Sequence, residues 1–453
     1  MYALDTFRAA IGDIPNTDHP RALRAKSHDW SEVSPILRKL LDGKSADLVV
    51  SPRTKDEVAR VVAAAARLRI PVTARGAGTA NYGQSVPMCG GIVLDMVGFA
   101  GIVWQRPTAV RAYAGTVIDE IDAATRPAGR ELRMHPSTKR VATIGGYVSG
   151  GSAGIGSCAW GGLADLGNVA ALEVISMEEA PRVRELRGRN VGLVQHAFGT
   201  NCIITEVEMP LAPAWEWLEA VVVFDDYMAA VRFGVRFADE IGLVKKLVSI
   251  QEWPTPGLWR QMRGLVPYGY STVCCILAAP FLVPFEELTK DYNGAIASIC
   301  DEGKGPYGLP IYEFAFGHAL QQMRCSEPDR AAVQGTFRGD DLVGVVERVH
   351  RRIAGQGPLR MELTRNGGRL TGGGGVFIKY KDEAQIRALS QLLIEEGVEV
   401  NDIHTISVER HRRSRYAGDD SAAFKRDMDP YDLLNPGKSQ ADAVLEPMEG
   451  VTA

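Results

Sequence analysis

The chain lacks any pair of cysteines in CxxC spacing, and its seven cysteines are an odd number. That arithmetic argues against a disulfide framework and a structural zinc site. The thiols are expected to be reduced, as in a cytoplasmic protein. There is no excess of basic charge: Lys plus Arg is 51 against 55 for Asp plus Glu, a net charge of −4. A general nucleic-acid binder is therefore not expected. No apolar run reaches the ~18 residues that a membrane span needs. The opening "MYALDTFRAA" lacks the charged region and apolar run of a signal peptide. The phosphate-loop pattern G-x-x-x-x-G-K-[ST] is missing. The eight histidines (His19, His28, His135, His196, His318, His350, His404 and His411) form no H-x-H or H-x-x-x-H pair, so no metal site is expected.

What is present reads as a globular α/β chain. Its 453 residues suggest two or three domains. "ADLVVSP" (46–52) has the pattern of a buried strand. In "TKDEVARVVAAAARLRI", Thr54 and Glu57 have capping-box spacing, and Val58, Val61, Val62, Ala65 and Leu68 recur at helical intervals. Pro71 ends that helix, and "PVTAR" returns to an extended run. Strands are expected at 91–96, 108–115, 169–176 and 202–210, with a helix near 116–126. Beyond about 214 the chain gains Trp, Pro and Arg. Strands are expected there at "LEAVVVF", "STVCCILAA" and "GVFIKY". Helices are expected near 226–240, 284–300, 337–353 and 383–396.

Two stretches are stripped of bulk. "RGAGTANYGQS" (75–85) holds three glycines in eleven positions, and six of the twelve residues from Gly145 to Gly156 are glycine. Either stretch could be a tight turn between strands. Bare backbone amides can also converge on an anion such as a diphosphate. The dinucleotide fingerprint G-x-G-x-x-G does not fit, because Asn81 stands at the third glycine and a strand is expected next.

Four motifs in order resemble one family, the FAD-binding fold shared by vanillyl-alcohol oxidase, p-cresol methylhydroxylase and the glycolate oxidase D-subunit type enzymes. "PVTARGAGTANYGQS" resembles its pyrophosphate loop, and "HPSTKRVATIGGYVSGGSAGIGS" its second loop. "GTNCIITEVEMPL" resembles its G-x-x-G-I-I-T-E strand, with Cys202 at the last glycine, and "DPYDLLNPGK" its C-terminal motif. The resemblance implies an α+β fold: a PCMH-type FAD-binding domain of two α/β subdomains, and an α+β cap with an antiparallel sheet. It implies an N-terminal arm (1–40), the FAD domain (41–213), a substrate cap (214–425) and a segment (426–453) returning to the FAD domain.

Carried over residue by residue, the resemblance assigns the diphosphate to the first loop, as Arg75, Gly76, Ala77, Gly78, Thr79, Ala80, Asn81, Gly83, Gln84 and Ser85. Pro136, Thr143, Ile144, Gly145, Gly146, Ser149 and Gly151 would line the adenosine-to-flavin path. Ile203 and Ile204 would offer backbone contacts, with Asn435 and Lys438 as weaker candidates. The first loop has no histidine, and no cysteine lies between His135 and Thr143, so the FAD is expected to be non-covalent. His135 or a cap histidine remains open as an attachment. The metal motifs H-x-G-D-G-N and G-E-H-G of the D-2-hydroxy-acid branch are absent.

"NDIHTISVERHRRSRY" (401–416) stands where that branch has its base. It supplies His404 or Tyr416 as a candidate base and Arg410 as a candidate anion holder. The same arginines would also suit a solvated face, and His404 a core position. The implied activity is FAD-dependent oxidation of an alcohol, hydroxy acid or phenolic molecule by hydride transfer. The alternative is a flavoprotein subunit that relays electrons. The substrate is a small molecule, the acceptor is oxygen, a quinone or a redox protein, and a homodimer is allowed.

Overall fold

The computed structural model describes residues 2–151, 153–411 and 419–439. Three short helices, Leu4–Ile11, Pro20–Lys26 and Pro35–Leu41, fill most of the N-terminal arm.

A four-stranded sheet follows, built from β1 (Asn16–Thr17), β2 (Leu48–Val50), β3 (Val72–Arg75) and β4 (Ile92–Asp95) in the order β1-β2-β4-β3. Strands β2, β4 and β3 run parallel, and β1 pairs antiparallel at the edge. Helix α1 (Lys55–Leu68) makes the crossover from β2. Its cap forms as its spacing predicts, with the Thr54 hydroxyl accepting from the Glu57 amide at 3.2 Å. The Glu57 carboxylate returns to the amide of Arg53, one residue before the cap. Val58, Val61, Val62 and Ala65 are fully buried, as the helical period requires.

A six-stranded antiparallel sheet comes next: β5 (Ile102–Arg106), β6 (Ala109–Tyr113), β7 (Arg130–Leu132), β8 (Ala171–Ile175), β9 (Val183–Arg187) and β10 (Ile203–Pro213). Its order is β5-β6-β10-β8-β9, with β7 alongside β10. Helix α2 (Ile144–Gly150) runs through the second glycine-rich stretch, capped by the Thr143 hydroxyl on the Gly146 amide.

The third sheet has eight antiparallel strands: β11 (Trp217–Phe224), β12 (Lys245–Gln251), β13 (Ser271–Ala278), β14 (Ala295–Asp301), β15 (Arg330–Phe337), β16 (Leu359–Asn366), β17 (Arg369–Lys379) and β18 (Glu399–Asn401). The order is β14-β11-β13-β12-β16-β17-β15-β18. Alternate side chains serve two cores. Ala220, Val222 and Phe224 join a core covered by helices α3 (Tyr227–Asp239), α5 (Leu342–Arg352) and α6 (Glu383–Glu395), while Val221 and Val223 join Trp259 and Phe314 on the other face. Helix α4 (Gly317–Arg324) also lies on that second face.

The architecture is the expected α+β fold with a large antiparallel sheet. The expected helix over 284–300 is a correction. It ends at Asp291, Asn293 turns at a φ of +58°, and β14 follows. The chain end returns to the first sheet. Val72 donates to the Leu433 carbonyl and Asn435 to the Val72 carbonyl, each at 2.8 Å. No helix among the described residues is long and apolar enough to cross a membrane.

Candidate functional site

The first glycine-rich stretch leaves the C-terminal end of β3 and does not become a helix. Among the described residues, the backbone amides of Ala77 to Tyr82 donate no hydrogen bond. Amides left without partners cost free energy unless an anion or water meets them. The run is held open from outside. Gly78 has a φ of +72°, and a Cβ there would run into the Arg75 guanidinium. Arg75 in turn donates to the Ser85 hydroxyl at 2.7 Å. Asp29 of the N-terminal arm takes the Gly83 amide at 2.6 Å and the Ser85 amide at 3.3 Å. The Trp30 amide donates to the Gly78 carbonyl at 2.7 Å.

The second stretch stands beside the first. Gln84 donates to the Gly150 carbonyl at 3.0 Å, and a Cβ on Gly76 would meet the Thr143 side chain. A Cβ on Gly145 would lie 2.7 Å from that of Ala114, so only glycine lets α2 approach β6 this closely. Together the stretches form one wall of a cleft of about 430 Å³.

The opposite wall is the large sheet. In β16 the odd positions Leu359, Met361 and Leu363 enter the helix-covered core, while Arg360, Glu362 and Thr364 line the cleft. Arg360 and Glu362 are 5% and 1% exposed and paired at 3.0 Å. Glu362 Oε1 also accepts from the Phe316 amide at 2.8 Å and the Ser249 hydroxyl at 3.1 Å. Burial pushes the Glu362 carboxyl up from its ordinary value. Arg360 Nε is buried with no partner among the described residues. Gly373 and Gly374 of β17 and Gly335 of β15 add a stretch of wall without side chains. Tyr82 also lines the cleft. It is stacked on His411 with ring centroids 5.0 Å apart, and burial pushes its phenol up.

Most of the residues expected to hold cofactor meet in this cleft. Arg75 to Asn81, Gln84 and Ser85 line it, as do Pro136, Thr143, Gly145, Gly146, Ser149, Gly151, Ile203 and Ile204. Gly83, Ile144 and Asn435 do not. Gly83 backs onto Leu41 and Ile406, and Ile144 is a core residue. Asn435 donates to the carbonyls of Gln84 at 2.9 Å and Phe198 at 2.6 Å, bracing the cleft from behind. Lys438 shares that role: its ammonium reaches the Gln84 and Val86 carbonyls and Asn435 Oδ1 at 2.7–2.8 Å.

Of the expected catalytic segment, Asn401, Ile403 and His411 line the cleft, whereas His404 and Arg410 do not. His404 Nε2 is 3.1 Å from the Ala332 carbonyl, burial pushes its ring below its ordinary value, and it does not line the cleft. Arg410 pairs with Asp402 at 3.3 Å, also off the cleft. Tyr416 falls outside the described residues. His135 is buried, edge-on to Tyr312 and off the cleft. The cleft-lining residues that the sequence reading missed include Arg360, Glu362, His318, Gly373 and Gly374. The polar positions alternating through "LRMELT" and the run Gly372–Gly375 were the signals for them. Among the described residues, no group of three or more His, Cys, Asp or Glu could hold a metal ion.

An FAD binding domain model matches residues 46–179. The D-2-hydroxyglutarate dehydrogenase of Pseudomonas putida is 36% identical over 118 residues, 25% of this chain and 12% of that protein. The glycolate oxidase subunit GlcD of Bacillus subtilis is 22% identical over 438 residues, 86% of this chain and 88% of the relative. An uncharacterized FAD-linked oxidoreductase of Mycobacterium tuberculosis is 26% identical over 40% of this chain and 41% of its own length. The chain thus spans much of one relative and a small part of another. Among solved structures, an alkyldihydroxyacetonephosphate synthase superposes with a TM-score of 0.73 at 15% identity, over 96% of this chain and 86% of that one. The cofactor is FAD.

Proposed function

From the premise that the chain belongs to the FAD-linked oxidoreductases with a PCMH-type FAD-binding domain, we propose that it oxidises the CH–OH carbon of a small hydroxy acid. The observation that carries this is the pairing of two walls across one cleft. One wall has backbone amides that donate to no described residue (Ala77 to Tyr82), and the other a buried arginine with a spare donor (Arg360).

The residues fit the cofactor. The amide run offers donors to a diphosphate, and Gly145 and Gly146 of α2 line the cleft without side chains, which suits a flat group. Bound FAD supplies the acceptor for the two electrons that leave the substrate carbon. Residues 41–213 and the returning chain end hold it, and residues 214–425 cap it. The first loop has no histidine and no cysteine lies between His135 and Thr143, which supports an FAD held non-covalently.

The protein's own part is orientation. Arg360 presents a planar fork suited to a carboxylate, and Glu362 holds that fork still. The two curated relatives named above for glycolate and D-2-hydroxyglutarate take their names from 2-hydroxy acids, which supports an anionic substrate. The free thiols of all seven cysteines support a cytoplasmic location.

The test is anaerobic mixing of the yellow protein with glycolate, D-lactate and D-2-hydroxyglutarate, beside benzyl alcohol and a phenol. Bleaching by at least one hydroxy acid is expected. Bleaching by the neutral alcohols alone would contradict the role of Arg360. Bleaching by none would favour an electron-relaying flavoprotein subunit, which the word "subunit" in one relative's name supports.

A further inference from the structure

His318 opens helix α4 on the cap side of the cleft and lines it. Its Nδ1 lies 2.6 Å from Glu313 Oε2, and each side chain is 12% exposed. The other Glu313 oxygen accepts from Arg140 at 3.2 Å. An ionised carboxylate can only accept, so Nδ1 carries the hydrogen and Nε2 the lone pair. Among the described residues, Nε2 has no hydrogen-bond partner.

Two neighbours place this ring at the site. A Cβ on the adjacent Gly317 would lie 3.1 Å from Asn81 Nδ2, so the start of α4 rests on the first glycine loop. Two residues before His318, the Phe316 amide donates to Glu362, the residue that holds Arg360. A carboxylate on Nδ1 both fixes the tautomer and stabilises the imidazolium that proton uptake creates.

We propose that His318, oriented by Glu313, is the general base that takes the substrate's hydroxyl proton. This rests on the hydroxy-acid reading above. The O–H bond breaks and its proton goes to Nε2. Its electron pair becomes the second C–O bond. The C–H hydrogen leaves with its electron pair, and FAD is the oxidant that receives it.

Two measurements test this on the FAD-loaded protein. The first is ¹⁵N NMR of the histidine rings without substrate. The resonances lost in His318→Gln are expected to report the Nδ1–H tautomer, and Glu313→Gln should shift them. The second is stopped-flow reduction by the hydroxy acid that bleaches the parent. His318→Gln should keep its FAD and its reduction by dithionite, yet lose roughly 10²–10⁴-fold in rate. Glu313→Gln should lose less, and added imidazole should restore part of the rate in His318→Ala. Parent-like rates in both His318→Gln and Glu313→Gln, or a lone pair on Nδ1, would overturn the assignment while leaving the hydroxy-acid reading intact. A parent that no hydroxy acid reduces would overturn that reading, and the base with it.

Discussion

At the scale of single residues, Arg360 decides what kind of substrate the cleft accepts. Replacing it alone would strand Glu362 as an uncompensated buried acid. The informative variant is therefore Arg360→Gln with Glu362→Gln. It should keep its FAD and bind the hydroxy acid roughly 10- to 100-fold more weakly, since hydrogen bonds to a charged group contribute about 1.5–3 kcal/mol. Unchanged affinity in a substrate titration would show that the anion is held elsewhere. Gly78→Asp makes the matching test on the other wall. It puts a negative charge and a strained φ into the amide run, and the purified protein should be colourless. A full yellow complement would move the diphosphate off this loop. The glycine loops were legible because lost side chains leave a compositional mark. Arg360 and His318 were not, because one arginine or histidine in a strand or helix looks like many others. The alternation expected around His404 is not kept: Ile403 and Thr405 on either side are buried, while His404 itself is half-buried beyond the end of β18.

At the scale of elements, β17 separates a wall that needs glycine from one that merely has it. A Cβ on Gly375 would run into the Val333 carbonyl, whereas one on Gly373 meets nothing nearer than the Glu362 carbonyl at 3.8 Å. Gly375→Val should therefore lower the melting temperature sharply. Gly373→Leu should leave it near the parent's and obstruct substrate. Equal melting losses in the two would refute this picture of the strand. Helix α5 gives a pH dependence. His350 hydrogen-bonds Glu252 at 2.7 Å, which raises the ring above its ordinary 6.5, with Asp226 adding to the effect. A histidine raised in the folded state contributes stability below 6.5 and loses it as pH rises through the raised value. The parent should lose up to about 1 kcal/mol more than Glu252→Gln across that window, read from melting at pH about 6 and about 9. Parallel curves would mean that the pair contributes nothing. Strands bounded by Pro or Gly were legible, such as β3 after Pro71. β14 was missed because the apolar residues of "AIASICD" continue the helical pattern of the preceding turn. The Asn293–Gly294 pair between them is the stop signal.

At the scale of the whole molecule, the chain end closes what its middle builds. Asp429 accepts the Leu433 and Leu434 amides at 3.0 and 2.9 Å, turning the chain so that Asn435 and Lys438 reach the back of the first loop. The buried ammonium, pushed down to about 7 by desolvation, spends its three donors there. Lys438→Met should leave two loop carbonyls with a lost partner and weaken FAD binding together with stability, by about 1–3 kcal/mol. Parent-like binding and melting would remove the brace from the account. The order of the four motifs was legible in the sequence. That the last of them lies behind the first was not, since more than 340 residues separate Gln84 from Asn435 and only folding joins them. The central claim is that FAD lies between the glycine loops and the large sheet. It is tested most directly by titrating flavin-stripped protein with FAD and following backbone hydrogen exchange. One equivalent should saturate and slow exchange at Ala77 to Tyr82 and across Gly145 to Gly151. Saturation with those amides unchanged, or with protection confined to another face, would contradict it.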